Sequence, residues 1–267
     1  MTNQQLKFKA RERILRNSGP LTGATFIYGA LYVIVAGIIL YVYSMNMLSK
    51  GVFNSLESMQ LYVEKMSADY SYSLIVEGVN ALMVALMATV LAGLQYMCIM
   101  SARGMEVKAG DVFYAIKRNP DKIIILSLIQ ALLSFVFAIP VNVLAYMSDN
   151  LNNSLILDAV YTIFMLLSVI GDIAVAIMMS QSVFEYIDNP DGSVMSYIEN
   201  SMSIIKNNVG RYIKMWLGFI PLKIIAVFTM GLMNLWLLPY MWTTYALFYM
   251  DIKGENKQGN TIDVTIE

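Results

Sequence analysis

Two ionisable side chains lie inside apolar stretches of this sequence and are its clearest candidates for chemistry. Asp172 is the only charge in the run 159–184, and Lys223 is the only charge in the run 215–250. A charge at the centre of a bilayer costs at least about 2.5–3.5 kcal/mol, so it normally faces protein and is paired. The two side chains would either bind a substrate or proton in transport, or form a structural ion pair. We favour the ion pair, because a single pair does not make a pathway.

A second cluster has thioether and thiol groups, which are ligands that suit Cu(I). It consists of Met97, Cys98, Met100 and Met105 in a chain with 21 methionines and no histidine. Because methionines are scattered through every apolar segment, we interpret them as flexible core residues. We therefore predict neither a metal nor a cofactor.

Sequence patterns of catalysis are missing. The chain has no H-E-x-x-H, G-x-S-x-G or G-x-x-x-x-G-K-[ST] motif. The carboxylates in the run 188–192 lack the spacing and closing glutamate of a calcium loop. We interpret that run as a turn, with Asp191 or Ser193 capping the helix that follows, and predict that the protein is not an enzyme.

The segments that must position these residues are apolar and long. Hydrophobic residues make up 58% of the chain, charged residues 14%, and mean hydropathy is +0.59. About 20 apolar residues are needed for a helix to cross a bilayer. We predict an all-α, polytopic transmembrane helical bundle forming one integral membrane domain, 1–267, with short interfacial amphipathic helices. Its six spans are 25–48, 78–102, 123–148, 157–185, 212–231 and 233–250.

The final apolar run leaves the number of spans open. Its length allows one span, two tight spans or a re-entrant hairpin, and the break is expected at 231–234. Basic residues in short loops mark the cytoplasmic side of a membrane. With six spans and both termini inside, every Lys and Arg among the 18 is cytoplasmic except Lys50, Lys65 and Lys223. Five spans would leave more of them outside.

Three non-spanning stretches have apolar residues at helical spacing. They are 52–66, predicted outside, and 111–116 and 194–206, predicted inside. The apolar residues of the outer stretch are Val52, Phe53, Leu56, Met59, Val63 and Met66. Those of the inner stretches are Val112, Phe113 and Ile116, with Asp111 as a candidate N-cap, and Val194, Ile198, Met202 and Ile205. We interpret them as helices lying among lipid headgroups, and the alternative is that they gate the bundle or dock a partner.

The C-terminal third has a distinctive succession of residues. Its parts are Phe184, Glu185, Tyr186, Ile187, Asp188, Asn189 and Pro190, then Ser201, then Asn208, Gly210, Tyr212 and Lys214, and finally Trp236, Pro239, Tyr240, Thr244, Phe248 and Tyr249. Together with the basic opening at Ala10, Arg11, Glu12, Leu15 and Asn17, these residues resemble the domain of unknown function 975 family of bacterial multi-spanning membrane proteins.

The resemblance covers the first 20 residues and the region from 170 onward, and it does not include Asp172 or Lys223. It implies a polytopic protein of the bacterial plasma membrane, and it implies no biochemical function. The aromatic residues of the short closing helix are of the amphipathic kind that settles at membrane interfaces, and they are Trp236, Tyr240, Trp242, Tyr245 and Tyr249. Pro239 among them would either help line a cavity or form a shallow anchor.

Two function classes follow from the sequence. The first is a non-enzymatic accessory or scaffold protein of the cell envelope that binds a membrane partner or lipid. The alternative is a small transporter or channel that uses Asp172 and Lys223. Expected partners are the lipid bilayer and a second membrane protein or another copy of the chain. Nucleic acid is not expected, because no basic stripe lies clear of the apolar segments.

Overall fold

The fold of the chain is given by a computed structural model. It describes residues 1–68, 70–150 and 155–255, with side chains described at all of these except 63, 64, 66–68, 70–74, 77, 146, 148–150 and 155. Every regular element in these ranges is a helix, as the sequence predicts.

Four helices are long and apolar enough to cross a membrane. Their apolar stretches lie at Ser18–Ser49, Gly78–Ala102, Pro120–Ala145 and Ile156–Asp188. They belong to helices α2 (Ser18–Ser49), α4 (Tyr70–Ala102), α6 (Pro120–Asn150) and α7 (Leu155–Met178), the last stretch also including α8 (Ser182–Asp188). These are the four spans predicted at 25–48, 78–102, 123–148 and 157–185.

The remaining helices are shorter. They are α1 (Asn3–Arg16), α3 (Leu56–Ala68), α5 (Tyr114–Arg118), α9 (Val194–Lys206), α10 (Val209–Leu217), α11 (Ile220–Phe228) and α12 (Asn234–Lys253), with 3₁₀ turns at Val52–Asn54 and Ala109–Phe113. Helix α1 begins with a capping box, in which the Thr2 hydroxyl accepts from the Gln5 amide and the Gln5 side chain accepts from the Thr2 amide.

The final apolar run is divided into α10, α11 and α12. Helices α10 and α11 have 9 residues each and are each about 13.5 Å long, so only the two in succession approach the roughly 30 Å of a hydrocarbon core, whereas the 20 residues of α12 reach about 30 Å alone. A turn separates α11 from α12, and in it Met230 and Gly231 have φ of 51° and 84°. Glycine is favoured in this left-handed region because it has no Cβ.

The described chain forms two compact units. Among the described residues, the first contains 1–29, 88–126 and 177–255, and the second contains 30–68, 70–87, 127–150 and 155–176. Helix α4 is the most enclosed candidate span, since 61% of its most apolar window is buried, against 6% in α2. The exposed apolar surface of α2 is what a lipid-facing helix requires.

The predicted amphipathic stretches are helical, with two differences in detail. In α9 the buried residues are Tyr197, Ile198, Ser201 and Ile205, whereas Met202 is exposed. The buried face is therefore rotated from the predicted stripe, because Tyr197 and Ser201 find hydrogen-bond partners inside. Asp111 is not an N-cap but the third residue of its 3₁₀ turn, where its carboxylate accepts from the Lys108 amide at 2.8 Å.

In the outer stretch, Val52 is buried and Phe53, Leu56 and Met59 are exposed. The side chains of Val63 and Met66 lie outside the described residues.

Candidate functional site

The predicted intramembrane charges lie on α7 and α11. Asp172 is an exposed residue of the second unit, and Lys223 is a half-buried residue of the first. The Lys223 ammonium lies 5.4 Å from the centroid of the Trp216 ring, one helix earlier, which is cation–π geometry. An ion pair between Asp172 and Lys223 stays a prediction.

The residues of the closing motif lie along α12 and divide into two groups. In its first turns, the Trp236 ring stacks on Tyr240 at 5.1 Å between centroids, and Tyr240 meets Phe219 edge-on at 5.3 Å. One turn later, the Thr244 hydroxyl donates to the Tyr240 carbonyl at 2.7 Å.

The second group, Phe248 and Tyr249, is fully buried. Tyr245, one turn before Tyr249, is buried as well. The prediction that Tyr245 and Tyr249 settle as interfacial aromatics is therefore wrong, because both rings pack against protein. The ring centroid of Tyr249 lies 5.5 Å from that of Phe184, and the ring centroid of Tyr245 lies 5.6 Å from that of Tyr212.

Tyr249 leads to a group of charges that we call the carboxylate cluster: Glu185, Asp188, Arg103, Tyr249 and Lys253. The Tyr249 hydroxyl lies 2.7 Å from Asp188 Oδ2 and 3.0 Å from Glu185 Oε1. Lys253 Nζ lies 2.6 Å from Glu185 Oε1, and Arg103 Nη2 donates to Asp188 Oδ1 at 2.7 Å. Helices α8 and α12 are thus joined to the residue that follows α4.

Both carboxylates of the cluster have donors on each oxygen. Glu185, whose side chain is only 6% exposed, also accepts from Asn200 Nδ2 of α9 through Oε2, at 3.1 Å. Lys253 Nζ approaches Asp188 Oδ2 at 3.7 Å. A buried carboxylate is stable only when it is paired and hydrogen-bonded in this way.

Arg103 connects the cluster to the end of the described chain. Its Nε and Nη2 donate to the Glu255 carboxylate at 3.2 Å. Burial alone would lower the pKa of the Arg103 guanidinium, but Asp188 and Glu255 outweigh burial and raise it. The cation is therefore held charged between two carboxylates.

The position of α8 depends on the break after α7. Ser201 of α9 donates to the Met178 carbonyl at 2.6 Å and accepts from the Gln181 amide at 3.1 Å. One hydroxyl thus satisfies both sides of the break, since it can donate and accept at once. Helix α8 then begins at Ser182, and its Glu185 and Asp188, three residues apart, lie on one face.

The turn predicted at 188–192 follows α8 and is held from three directions. Lys122 Nζ donates to the carbonyls of Pro190 and Gly192 at 2.7 and 2.9 Å, and Asn119 Nδ2 donates to Pro190 at 3.0 Å. The Tyr197 hydroxyl lies 2.8 Å from the Gly192 carbonyl. Ser193 then caps α9 by accepting from the Ser196 amide, which confirms one of the two predicted caps.

A smaller ion pair lies on the other side of α12. Arg211 Nη2 donates to Asp251 Oδ2 at 2.6 Å, and the Arg211 guanidinium lies 5.1 Å from the Phe248 ring centroid. Burial would raise the pKa of Asp251, but the hydrogen bonds from Arg211 and from the Met1 amino group lower it overall. Arg211 therefore contacts both the Asp251 carboxylate and the Phe248 ring near the C-terminal end of α12.

The sulfur-containing residues do not form one site. Met97 and Cys98 are buried, whereas Met105 is exposed, and Cys98 Sγ faces the Pro239 carbonyl at 3.8 Å. Within residues 1–68, 70–150 and 155–255, no three His, Cys, Asp or Glu side chains gather as a metal site would require.

Residues 1–256 match the model of a family described as a protein of unknown function, DUF975. The chain belongs to the DUF975 family. The match extends the resemblance, which rested on the two ends of the sequence, through the middle of the chain. Neither a curated protein nor a solved structure matches it.

In this DUF975 protein, two segments that carry the family resemblance meet in space. Glu185 and Asp188 come from the first segment, and Tyr249 comes from the closing motif. All three residues belong to the family resemblance, but the sequence does not show that they form one cluster or that Arg103 and Lys253 join it. The available signal was a carboxylate pair at i and i+3 flanked by aromatic residues at the end of an apolar segment.

Proposed function

We propose that this DUF975 protein is a non-enzymatic accessory or scaffold protein of the bacterial plasma membrane that binds a membrane protein or lipid. The observation that carries the proposal is the pairing of the carboxylate cluster. All four oxygens of Glu185 and Asp188 are engaged by Arg103, Asn200, Tyr249 or Lys253. Charges committed in this way join helices, whereas a reacting or transported group needs an open position.

The first unit suits such a role because distant segments are tied together within it. Arg103 is joined to Asp188, 85 residues away, and to Glu255, 152 residues away. Asn17 Nδ2, at the end of α1, donates to Ser101 Oγ at 3.1 Å and to the Met105 carbonyl at 3.0 Å. A surface held by such contacts is preorganised, and preorganisation lowers the entropic cost of binding a partner.

The test is crosslinking in the native membrane followed by mild extraction and native mass spectrometry. A second protein in fixed stoichiometry, or a retained lipid, supports the accessory role. A monomer or homo-oligomer that carries a small solute overturns it. Flux measurements in liposomes would then compare the wild type with Asp172→Asn and Lys223→Gln, the residues on which transport would depend.

We further propose that the final run crosses the membrane twice, which makes six spans with both termini in the cytoplasm. The distribution of basic residues supports this topology. Met230 is 96% exposed in the turn between α11 and α12, and six spans would place it on the outer side of the membrane, whereas a re-entrant hairpin would not. Met230→Cys should react with a membrane-impermeant maleimide added from outside, while Cys98 is buried and serves as the unreactive reference. Protection of Cys at 230 in intact cells would contradict six spans.

A further inference from the structure

A cavity of about 360 Å³ lies beside the C-terminal part of α4, where the chain connects to α6. Its lining consists of Tyr96, Gly110, Asp111, Tyr114, Lys117 and Arg118. All of these residues belong to the first unit, and none belongs to the carboxylate cluster.

The wall of the cavity depends on a close approach between α4 and the 3₁₀ turn Ala109–Phe113. A Cβ on Gly93 would lie 1.7 Å from the Val112 carbonyl oxygen, so only glycine fits at this position. One turn further along α4, the rings of Tyr96 and Tyr114 stack face to face, with centroids 3.8 Å apart and planes 3° from parallel. The two stacked rings of Tyr96 and Tyr114 thus form one wall of the cavity.

The charges at the cavity favour an anion. Lys117 and Arg118 are exposed in the last turn of α5 and carry two positive charges. The single carboxylate, Asp111, already accepts from the Lys108 amide at 2.8 Å. Lys122 does not line the cavity, because its ammonium is held by the turn at Pro190 and Gly192. Arginine and lysine beside aromatic rings are suited to a phosphate group.

The position along the helices places this cavity at the depth of lipid headgroups. The candidate span Gly78–Ala102 has 25 residues and is about 37 Å long, which exceeds the hydrocarbon core of roughly 30 Å. The excess of about 7 Å corresponds to about five residues, so the C-terminal end of the span at Ala102 reaches the headgroup layer, and Tyr96 lies less than two turns before that end. The next candidate span begins at Pro120, so the residues between them lie at the same surface.

We propose that this cavity binds the phosphate of an anionic phospholipid headgroup between the Tyr96–Tyr114 wall and the cations of Lys117 and Arg118. The proposal rests on the proposed function. It adds to that function one lipid-binding site and the charge of the lipid that binds there. Anionic lipid is enriched on the cytoplasmic side, where basic pockets between helices bind such headgroups.

The test titrates dioleoylphosphatidylglycerol into the full-length protein in a non-ionic detergent and counts bound lipids by native mass spectrometry. Lys117→Gln with Arg118→Gln should weaken the first binding step by about tenfold. The matched control is Lys108→Gln with Lys206→Gln, which removes the same charge from exposed positions that do not line the cavity, and it should stay within about twofold.

Equal weakening in both double variants would overturn the site, because it would mean general surface electrostatics. So would a first step equally strong for dioleoylphosphatidylcholine. If inorganic phosphate alone binds with the same dependence on Lys117 and Arg118 while the lipid does not, the site holds a free anion and the lipid proposal is wrong. The charge-preserving variant Lys117→Arg with Arg118→Lys should retain lipid binding, which checks that any loss is not misfolding.

The proposed function can fail separately from this site. A partner protein recovered by crosslinking without specific lipid binding would refute the cavity and leave the accessory role standing. Specific lipid binding together with solute flux would support the cavity and refute the accessory role.

Discussion

The hydroxyl of Tyr249 lies 2.7 Å from the carboxylate of Asp188, which is 61 residues earlier in the chain. The same hydroxyl lies 3.0 Å from Glu185, so its single proton is shared between two carboxylates that face the same ring. This contact joins the last helix to the end of the fourth candidate span, and it makes the closing motif a part of the protein interior.

Removing this hydroxyl should destabilise the protein. We expect Tyr249→Phe to cost about 1.5–3 kcal/mol, because a hydrogen bond to a charged group is lost inside the protein. Thermal unfolding in detergent should show a Tm lower by several degrees. Tyr240→Phe, on the same helix, keeps the ring that stacks on Trp236 and should change Tm little. Equal losses of Tm in the two variants would show that the hydrogen bond from Tyr249 to the carboxylate cluster adds no particular stability.

Neutralising Glu185 should have a similar effect on stability. Glu185→Gln leaves Lys253 beside a neutral group, and since Lys253 is 33% exposed, the expected cost is about 1–3 kcal/mol rather than the full value for a buried pair. Glu199→Gln on the exposed side of α9 is the matched control and should stay within about 0.5 kcal/mol. Chemical denaturation of both variants measures the difference, and an unchanged midpoint in Glu185→Gln would contradict a structural role.

Gly93 should not tolerate a side chain. A Cβ at this position would lie 1.7 Å from the Val112 carbonyl oxygen and 2.4 Å from its carbon, and backbone atoms cannot move aside as a flexible side chain can. We expect Gly93→Ala to reduce the yield of folded protein or to lower Tm strongly. Gly78→Ala, in the same helix with open space around it, should be neutral or stabilising by up to about 1 kcal/mol. Wild-type behaviour of Gly93→Ala would refute the close approach.

The Arg211–Asp251 pair predicts a dependence of stability on acid. The folded pKa of Asp251 is lowered from its usual 3.8, so the carboxylate stabilises the folded state fully above that value. This contribution is lost as pH falls below 3.8 through the lower folded pKa. The Tm gap between wild type and Asp251→Asn should therefore narrow below about pH 4. A Tm gap between wild type and Asp251→Asn that does not vary with pH would refute the pair.

Some residues have partners that can be predicted from their neighbours in the sequence, and others do not. Ser193 was predictable as a cap, because capping involves only the next three residues. Ser201 was not, since its partners are the Met178 carbonyl and the Gln181 amide on the far side of a turn. The buried position of Tyr249 was not predictable either, because the sequence shows the amphipathic chemistry of a tyrosine and not its partners.

The all-α fold class, the four apolar segments of membrane-spanning length and the residues of the family resemblance are all predictable from the sequence alone. These properties follow from composition and from periodicity along neighbouring residues, which a chain possesses before it folds. The carboxylate cluster and the cavity beside Tyr96 were decided only by the tertiary structure. Both depend on contacts between segments far apart in the chain, such as Arg103 with Glu255 and Tyr249 with Asp188, and the local pattern of residues contains no record of which distant partner each side chain meets.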